Sequence, residues 1–326
     1  MQKQDIRIVF MGTPDFAVPT LDALMSGGYN VVGVITMPDK PAGRGHKVQY
    51  SPVKQYALDH QLPLLQPEKL KDEQFLADLR AWQADLQIVV AFRMLPEVVW
   101  AMPRMGTFNL HAALLPQYRG AAPLNWAVIN GDKMTGATTF FLDHQIDTGR
   151  IILKQPLEIG DEENVGSVHD RMMEMGKGLV TRTVDLLFDA EGDVSRIPTI
   201  DQETLIADLE ASTGISELRP APKIFKETCE MHFTQPVRQL HNLVRGLSPY
   251  PAAWTTLGEM TPVKVYRTRI VSEGQPQPAD CIGKIDTDNK SYIHITCADG
   301  ILALEELQLP GKKRMEARAL LNGFKF

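Results

Sequence analysis

Cysteine is scarce in this chain of 326 residues: there are three, Cys229, Cys281 and Cys297, far apart in sequence. That number and spacing argue against a disulfide framework and a cysteine-bound zinc cluster, and they favour a reducing compartment, here expected to be the cytoplasm. Long hydrophobic runs are absent as well. No stretch reaches the roughly 18–20 apolar residues that span a bilayer. The first residues, MQKQDIRIVFMG, run straight into a strand-like segment and do not read as a signal peptide. Residues 10–15, FMGTPD, keep only Gly12 of a G-x-G-x-x-G turn, so a dinucleotide site is not expected there. No Gly-x-Ser-x-Gly elbow occurs, which argues against a covalent acyl-enzyme. His111, Asp143, His144 and Asp147 have the chemistry of metal ligands, but no H-E-x-x-H or cysteine pair accompanies them, and no metal is expected.

A general excess of positive charge is also lacking. The formal net charge is −6, which argues mildly against broad nucleic-acid binding. The average conceals an asymmetry: residues 1–207 carry 19 Lys and Arg against 26 Asp and Glu, whereas residues 208–326 carry 15 against 14. A locally basic surface remains compatible with this balance, because partners respond to patches. With 44% hydrophobic and 23% charged residues, the composition is that of a globular protein without long disorder.

Strand-like and helix-like segments alternate through the first part. Residues 6–11, 31–35, 62–65, 86–92 and 107–110 read as strands, and 16–25, 51–60 and 71–82 as helices. Such alternation predicts a parallel sheet covered on both faces, with ligands bound beyond the carboxyl ends of its strands. Residues 138–142 and 151–159 read as two further strands around a polar turn, DHQIDTG, and 164–190 as a long helix capped by Asn164. Residues 191–222, spotted with Pro198, Pro220 and Pro222, read as a linker that includes a helix-like piece at 203–210. Beyond it come a helix at 237–245 and short strands at 254–257, 263–270, 281–285, 292–297 and 301–309, a pattern that suggests a small β-barrel.

Two segments carry chemistry. Residues 37–47, MPDKPAGRGHK, hold Lys40, Arg44, His46 and Lys47 just after a strand; they suit either a solvated loop or an arm that grips phosphates. Residues 108–123, FNLHAALLPQYRGAAP, place Asn109 and His111 two apart at a strand end, so both project from one face. An amide and an imidazole side by side can donate to one developing oxyanion. Asp147, in the turn after a neighbouring strand, could raise the His111 pKa and fix its tautomer, or act as a base through a water. A satisfied buried histidine with polar capping neighbours would leave the same pattern.

At these residues the sequence resembles the methionyl-tRNA formyltransferase family within the folate-dependent formyltransferases. The resemblance covers essentially the whole chain: FMGTPDFAVPTLDAL, PDKPAGRG, NLHAALLPQYRGAAP, IDTG, the KIF of residues 223–225 and the LVRGLSPYPAAW of residues 243–254. It implies a Rossmann-like formyltransferase domain at 1–190, with a mostly parallel sheet, that binds 10-formyltetrahydrofolate. It also implies a linker at 191–222 and an OB-like, tRNA-binding β-barrel at 223–326. The implied reaction moves the formyl group of 10-formyltetrahydrofolate to the α-amino group of initiator methionyl-tRNA, without a metal. The matching catalytic residues are Asn109, protonated His111 and Asp147: the first two would stabilise the oxyanion, and the third would orient His111 or a water and help a proton reach the leaving N10. Folate contacts fall on Phe92, Arg93, Met94 and Leu95 and on Ala113, Leu114, Leu115 and Pro116. The family usually has Ser where Ala113 stands, so a hydroxyl contact is missing here. Arg44, with Lys40, His46 and Lys47 beside it, corresponds to the loop that engages tRNA. Lys264, Arg267, Arg269, Lys312, Lys313 and Arg314 are further candidates for phosphate contact, and a monomer is expected.

Overall fold

The computed structural model describes residues 3–42, 47–213 and 217–326. The chain divides into two compact units that interleave in sequence. One comprises Met1–Gly120, Gly136–Leu157 and Asp170–Pro220, and the other Ala121–Thr135, Glu158–His169 and Ala221–Phe326.

In chain order the elements up to residue 213 are β1 (Arg7–Gly12), α1 (Val18–Ser26), β2 (Asn30–Ile35), β3 (Lys40–Ala42), β4 (Lys47–Gln49), α2 (Pro52–Asp59), β5 (Leu64–Leu65), α3 (Glu73–Ala81), β6 (Leu86–Val90), α4 (Glu97–Trp100), β7 (Thr107–His111), α5 (Pro123–Ile129), β8 (Met134–Phe141), β9 (Ile151–Glu158), α6 (Val165–Asp189) and α7 (Gln202–Thr213). The helices begin where local chemistry provides caps. Ser51 Oγ accepts from Lys54 N, Asp72 Oδ1 from Phe75 N and Asn164 Oδ1 from Ser167 N, each satisfying an orphan first-turn donor.

The main sheet runs β5-β2-β1-β6-β7-β8-β9. β5, β2, β1, β6 and β7 are parallel, and β8 joins β7 antiparallel, with His111 opposite Thr138 and Asn109 opposite Phe140. All five residues of β6 are buried, as a strand covered on both faces requires. Val9, Met11, Ile35, Phe75, Leu79 and Val89 belong to the core on one side. The chain leaves β1 towards β2 and β5, then returns to β6 on the other flank of β1. The strand order therefore reverses between β1 and β6, and the carboxyl ends at such a reversal are where open sheets of this kind bind ligands. The end of β7, at His111, is one strand away.

In the second unit the sequence continues as α8 (Val237–Leu247), β10 (Ala253–Leu257), β11 (Met260–Ser272), β12 (Ile285–Asp286), β13 (His294–Cys297), β14 (Gly300–Gln308), β15 (Met315–Glu316) and α9 (Ala317–Leu321). The sheet is antiparallel in the order β10-β11-β14-β13-β12, with β15 also on β14. Val237, Leu240, Val244 and Leu247 line one face of α8 and share a core with Val263, Val265, Ile295, Leu302 and Leu304. A Cβ on Gly246 would stand 2.4 Å from Ile129 Cγ1, so glycine is what lets α8 approach α5. Two readings shift in extent. Of the strand expected at 281–285 only Ile285 is in a strand, Ile285–Asp286, because residues 281–283 form a turn with Gly283 at φ +80°. The segment 191–222 is more structured than a linker pattern suggests: it carries α7, and Ile200 exchanges backbone hydrogen bonds with Ile151.

His241 on α8 is 1% exposed, with Nδ1 3.0 Å from Thr268 Oγ1 and Nε2 3.5 Å from Glu162 Oε2. Burial, reinforced by the charges of Arg245 and Arg238 and opposed by Glu305 and Glu273, pushes its pKa down to about 4. The folded protein thus keeps the ring neutral, while the unfolded chain protonates it near pH 6.5. Its contribution to stability is complete above pH 6.5 and is lost as the pH falls towards 4, by up to about 3 kcal/mol. Urea unfolding of wild type and His241→Gln at pH 7 and pH 4.5 should show the wild-type advantage shrinking by about 2–3 kcal/mol. Parallel losses in the two proteins would contradict this assignment.

Candidate active site

β7 ends in Asn109, Leu110 and His111, and strand alternation puts the amide and the imidazole on the same face. His111 is 5% exposed. Its Nε2 lies 2.9 Å from the carbonyl oxygen of Tyr118, which can only accept, so in the neutral ring Nε2 carries the proton. Its Nδ1 lies 3.8 Å from Asp147 Oδ2, beyond hydrogen-bond length, as expected for two facing acceptors. Burial depresses the His111 pKa, and the Asp147 charge and the Tyr118 carbonyl only partly counter it. The protonated His111 expected at the oxyanion stage would therefore have to form during the reaction. The ring rests neutral, with Nδ1 ready to accept a proton beside a carboxylate that would stabilise the resulting charge.

Both groups facing His111 are held by backbone in the left-handed region, Tyr118 at φ +61° and Asp147 at φ +56°. The Tyr118 N–H donates to the Arg219 carbonyl at 2.7 Å, and Arg219 N–H donates to Gln117 Oε1 at 2.8 Å. Asp147 Oδ2 accepts the Gly120 N–H at 2.9 Å. Two residues on, Gly149 closes the turn where a Cβ would stand 1.7 Å from the Phe141 carbonyl oxygen. Asn109 Oδ1 is buried and has no hydrogen-bond partner. A buried polar atom left unpaired is costly, and a ligand that donates to it would recover that cost.

The residues assigned to folate fall on the two loops that follow β6 and β7. After β6, Leu95 is buried in the core, Phe92 is half-buried and Met94 is 76% exposed. Arg93 donates to the carbonyls of Glu68 and Pro67 and so braces this loop from behind. After β7, Ala113 and Leu115 are fully buried. Thr138 Oγ1 donates to the Ala113 carbonyl at 2.6 Å and accepts the Leu115 N–H at 3.1 Å, while Lys154 Nζ donates to the Leu115 carbonyl at 2.8 Å. The loop is thus fixed through its main chain at the position where the family's serine is replaced.

Of the basic loop, Lys40 and Lys47 belong to the paired strands β3 and β4, whereas Arg44 and His46 lie outside the described residues. Among the basic residues of the second unit, Arg267 pairs with Glu305 and Glu316, Arg269 with Glu305, and Arg314 with Glu306. Sequence reasoning missed Thr138, Lys154, Gln202 and Arg219. The first two sit inside ordinary strands, the others in the presumed linker, and nothing local marks them. Among the described residues, no three or more His, Cys, Asp or Glu group as metal ligands, and no helix is long and apolar enough to cross a membrane.

Residues 6–184 match the formyl transferase family model, and residues 223–325 match that of the formyl transferase C-terminal domain. The fold is also that of WlaRD, a sugar 3N-formyl transferase solved with dTDP and 5-N-formyl-THF (TM-score 0.64, 16% identity, 94% of this chain and 99% of that one). HypX from Aquifex aeolicus, solved with tetrahydrofolic acid, aligns with 97% of this chain and 47% of its own (TM-score 0.61, 16% identity). The fold and the two family matches define a formyltransferase. The methionyl-tRNA formyltransferase of Bacteroides fragilis is 60% identical over 329 residues, spanning 99% of this chain and 97% of that protein. That of Parabacteroides distasonis is 60% identical over 333 residues, spanning 100% and 98%. The chain belongs to the methionyl-tRNA formyltransferase family.

Thr138→Val would strand both the Leu115 N–H and the Ala113 carbonyl in the core. A stability loss of about 1–3 kcal/mol is expected in urea unfolding, with Thr138→Ser close to wild type. Equal stability of the valine and serine variants would show that the hydroxyl does not hold this loop.

Proposed function

We propose that this enzyme transfers the formyl group of 10-formyltetrahydrofolate to the α-amino group of initiator methionyl-tRNA, giving N-formylmethionyl-tRNA for translation initiation in the cytoplasm. The observation that carries this reading is the buried His111 with Nδ1 facing the Asp147 carboxylate, on the strand face it shares with the Asn109 amide. As the amine nitrogen bonds to the formyl carbon, the carbonyl electron pair moves onto the formyl oxygen, and Asn109 donates to it. His111 Nδ1 takes the proton released by the amine, and Asp147 and the Tyr118 carbonyl stabilise the imidazolium. Protonated His111 thus forms within the reaction, where it also stabilises the oxyanion. It returns the proton to N10 of the folate as the old carbon–nitrogen bond breaks, leaving tetrahydrofolate. No covalent enzyme intermediate is needed; proximity and electrostatics lower the barrier.

The loops at Phe92–Met94–Leu95, with Arg93 behind them, and at Ala113–Pro116 are read as the folate-binding walls. They combine apolar side chains with main-chain polar groups, which suits a flat heterocycle. Residues 1–190 are read as the catalytic domain, 223–326 as the tRNA-binding domain and 191–222 as the segment between them, in line with the two family matches. The loop with Lys40, Arg44, His46 and Lys47 is read as the arm that grips the acceptor end of the tRNA.

Two outcomes are expected. His111→Ala and Asp147→Ala should each lower turnover by about 10²–10⁴-fold with little change in tRNA affinity, measured as transfer of labelled formyl to initiator methionyl-tRNA beside elongator methionyl-tRNA and free methionine. Near-wild-type rates in either variant would remove that residue from the mechanism, and folate consumption without transfer would point to hydrolysis. Arg44→Ala should weaken tRNA-dependent turnover and flatten the decline of tRNA affinity with rising salt, since fewer phosphate contacts release fewer counterions. An unchanged salt slope would leave the arm without a phosphate role.

A further inference from the structure

Gln202, at the start of α7, is 1% exposed although it lies in a segment that reads as a linker. Its side-chain amide is fully used. Nε2 donates to the carbonyls of Asp147 (2.9 Å) and Gly149 (2.8 Å), and Oε1 accepts from Arg119 Nε (3.1 Å) and Nη2 (2.8 Å). The residue after Arg119, Gly120, gives its N–H to Asp147 Oδ2. A closed circuit of hydrogen bonds thus runs from the Asp147 carboxylate through Gly120 and Arg119 to Gln202 and back to the Asp147 carbonyl. The segment before Gln202 is itself anchored. Arg150 donates to Thr199 Oγ1 (2.7 Å), the Thr199 carbonyl (2.9 Å) and Asp201 Oδ2 (3.1 Å), and Ile200 pairs with Ile151 at the start of β9.

We infer that Gln202 is a positioning residue: it locks the turn 147–149 to the loop 119–120 and so holds the Asp147 carboxylate at its station opposite His111. The inference rests on the reading of Asp147 given above. Asp147 occupies a left-handed conformation, uncommon for an L-residue though tolerated best by Asp and Asn, which its surroundings must help to hold. The paired carbonyls of Asp147 and Gly149 supply that constraint only if a double donor faces them, which an amide offers and a carboxylate or an aliphatic chain does not. Misplacement of a catalytic group by about 1 Å can cost on the order of a hundredfold in rate. Gln202 therefore acts on turnover through Asp147 without touching the reacting atoms.

The test compares full-length wild type, Gln202→Met, Asp147→Ala and the double variant, with Gln202→Glu as an isosteric partner. Gln202→Met should lower kcat about ten- to hundredfold while leaving KM for initiator methionyl-tRNA nearly unchanged. In the Asp147→Ala background the same change should cost less than about twofold, because its target is gone. Gln202→Glu retains the acceptor for Arg119 but sets a carboxylate against two carbonyls, so it should fail as Met does. Equal losses in both backgrounds, or wild-type kcat in Gln202→Glu, would overturn the inference. Hydrogen exchange separates this from the fate of Asp147 itself: Gln202→Met should speed exchange at Gly120 and across residues 143–150 with the melting temperature little changed. Unaltered exchange there would refute the clamp whatever the turnover. Wild-type turnover in Asp147→Ala would instead retire the catalytic reading of Asp147, and the exchange comparison would still decide whether Gln202 holds the turn.

Discussion

Taking the His111 ring out of water disfavours its charged form more than the Asp147 carboxylate and the Tyr118 carbonyl favour it, and this imbalance sets the state of the site. A neutral imidazole must place its one proton, and the Tyr118 carbonyl fixes that proton on Nε2. Nδ1 then faces Asp147 as one acceptor facing another, and the 3.8 Å gap is the consequence. The arrangement is tense in a useful sense. A proton arriving at Nδ1 turns mutual repulsion into an ion pair screened from solvent, where charge attraction is strongest.

Such a site cannot be built from the sheet alone. The strand supplies Asn109 and His111 by simple alternation, but the two groups that tune the ring come from irregular backbone, with Tyr118 and Asp147 both at positive φ. Conformations of this kind cost about 1–3 kcal/mol each and survive only under external constraint. Here the constraint comes from residues 199–219: Arg219 receives the Tyr118 N–H, and Gln202 binds the carbonyls of Asp147 and Gly149. A segment that reads as a linker in sequence thus fixes the geometry on both sides of the imidazole, from the start of α7 and from Arg219.

This division of labour explains what could be read beforehand. Alternating strands and helices announced the parallel sheet, period-two spacing put Asn109 and His111 on one face, and Asn164 marked the start of α6, because each depends on neighbours a few residues away. The partners of Gln202 lie 55, 53 and 83 residues from it, and the Arg219–Tyr118 contact spans 101. Polar residues in a proline-spotted stretch carry no trace of such distant bonds, so the stretch read as a linker. The resting form of His111 was hidden for a related reason. Sequence showed the carboxylate that raises its pKa but not the burial that outweighs it.

Charge in the second unit follows the same logic. Arg267, Arg269 and Arg314 form a basic cluster in sequence, yet cross-strand register on β11, β14 and β15 brings Glu305, Glu306 and Glu316 against them. These pairs are partly exposed, and exposed ion pairs stabilise by only about 0–1 kcal/mol. An incoming phosphate could therefore replace a glutamate at small cost, but the displaced carboxylate would remain nearby and repel it. A polyanion held by this face would gain less from each arginine than from an unpaired one. Its orientation would then depend more on shape and on cations elsewhere in the chain than on the density of arginine that the sequence displays.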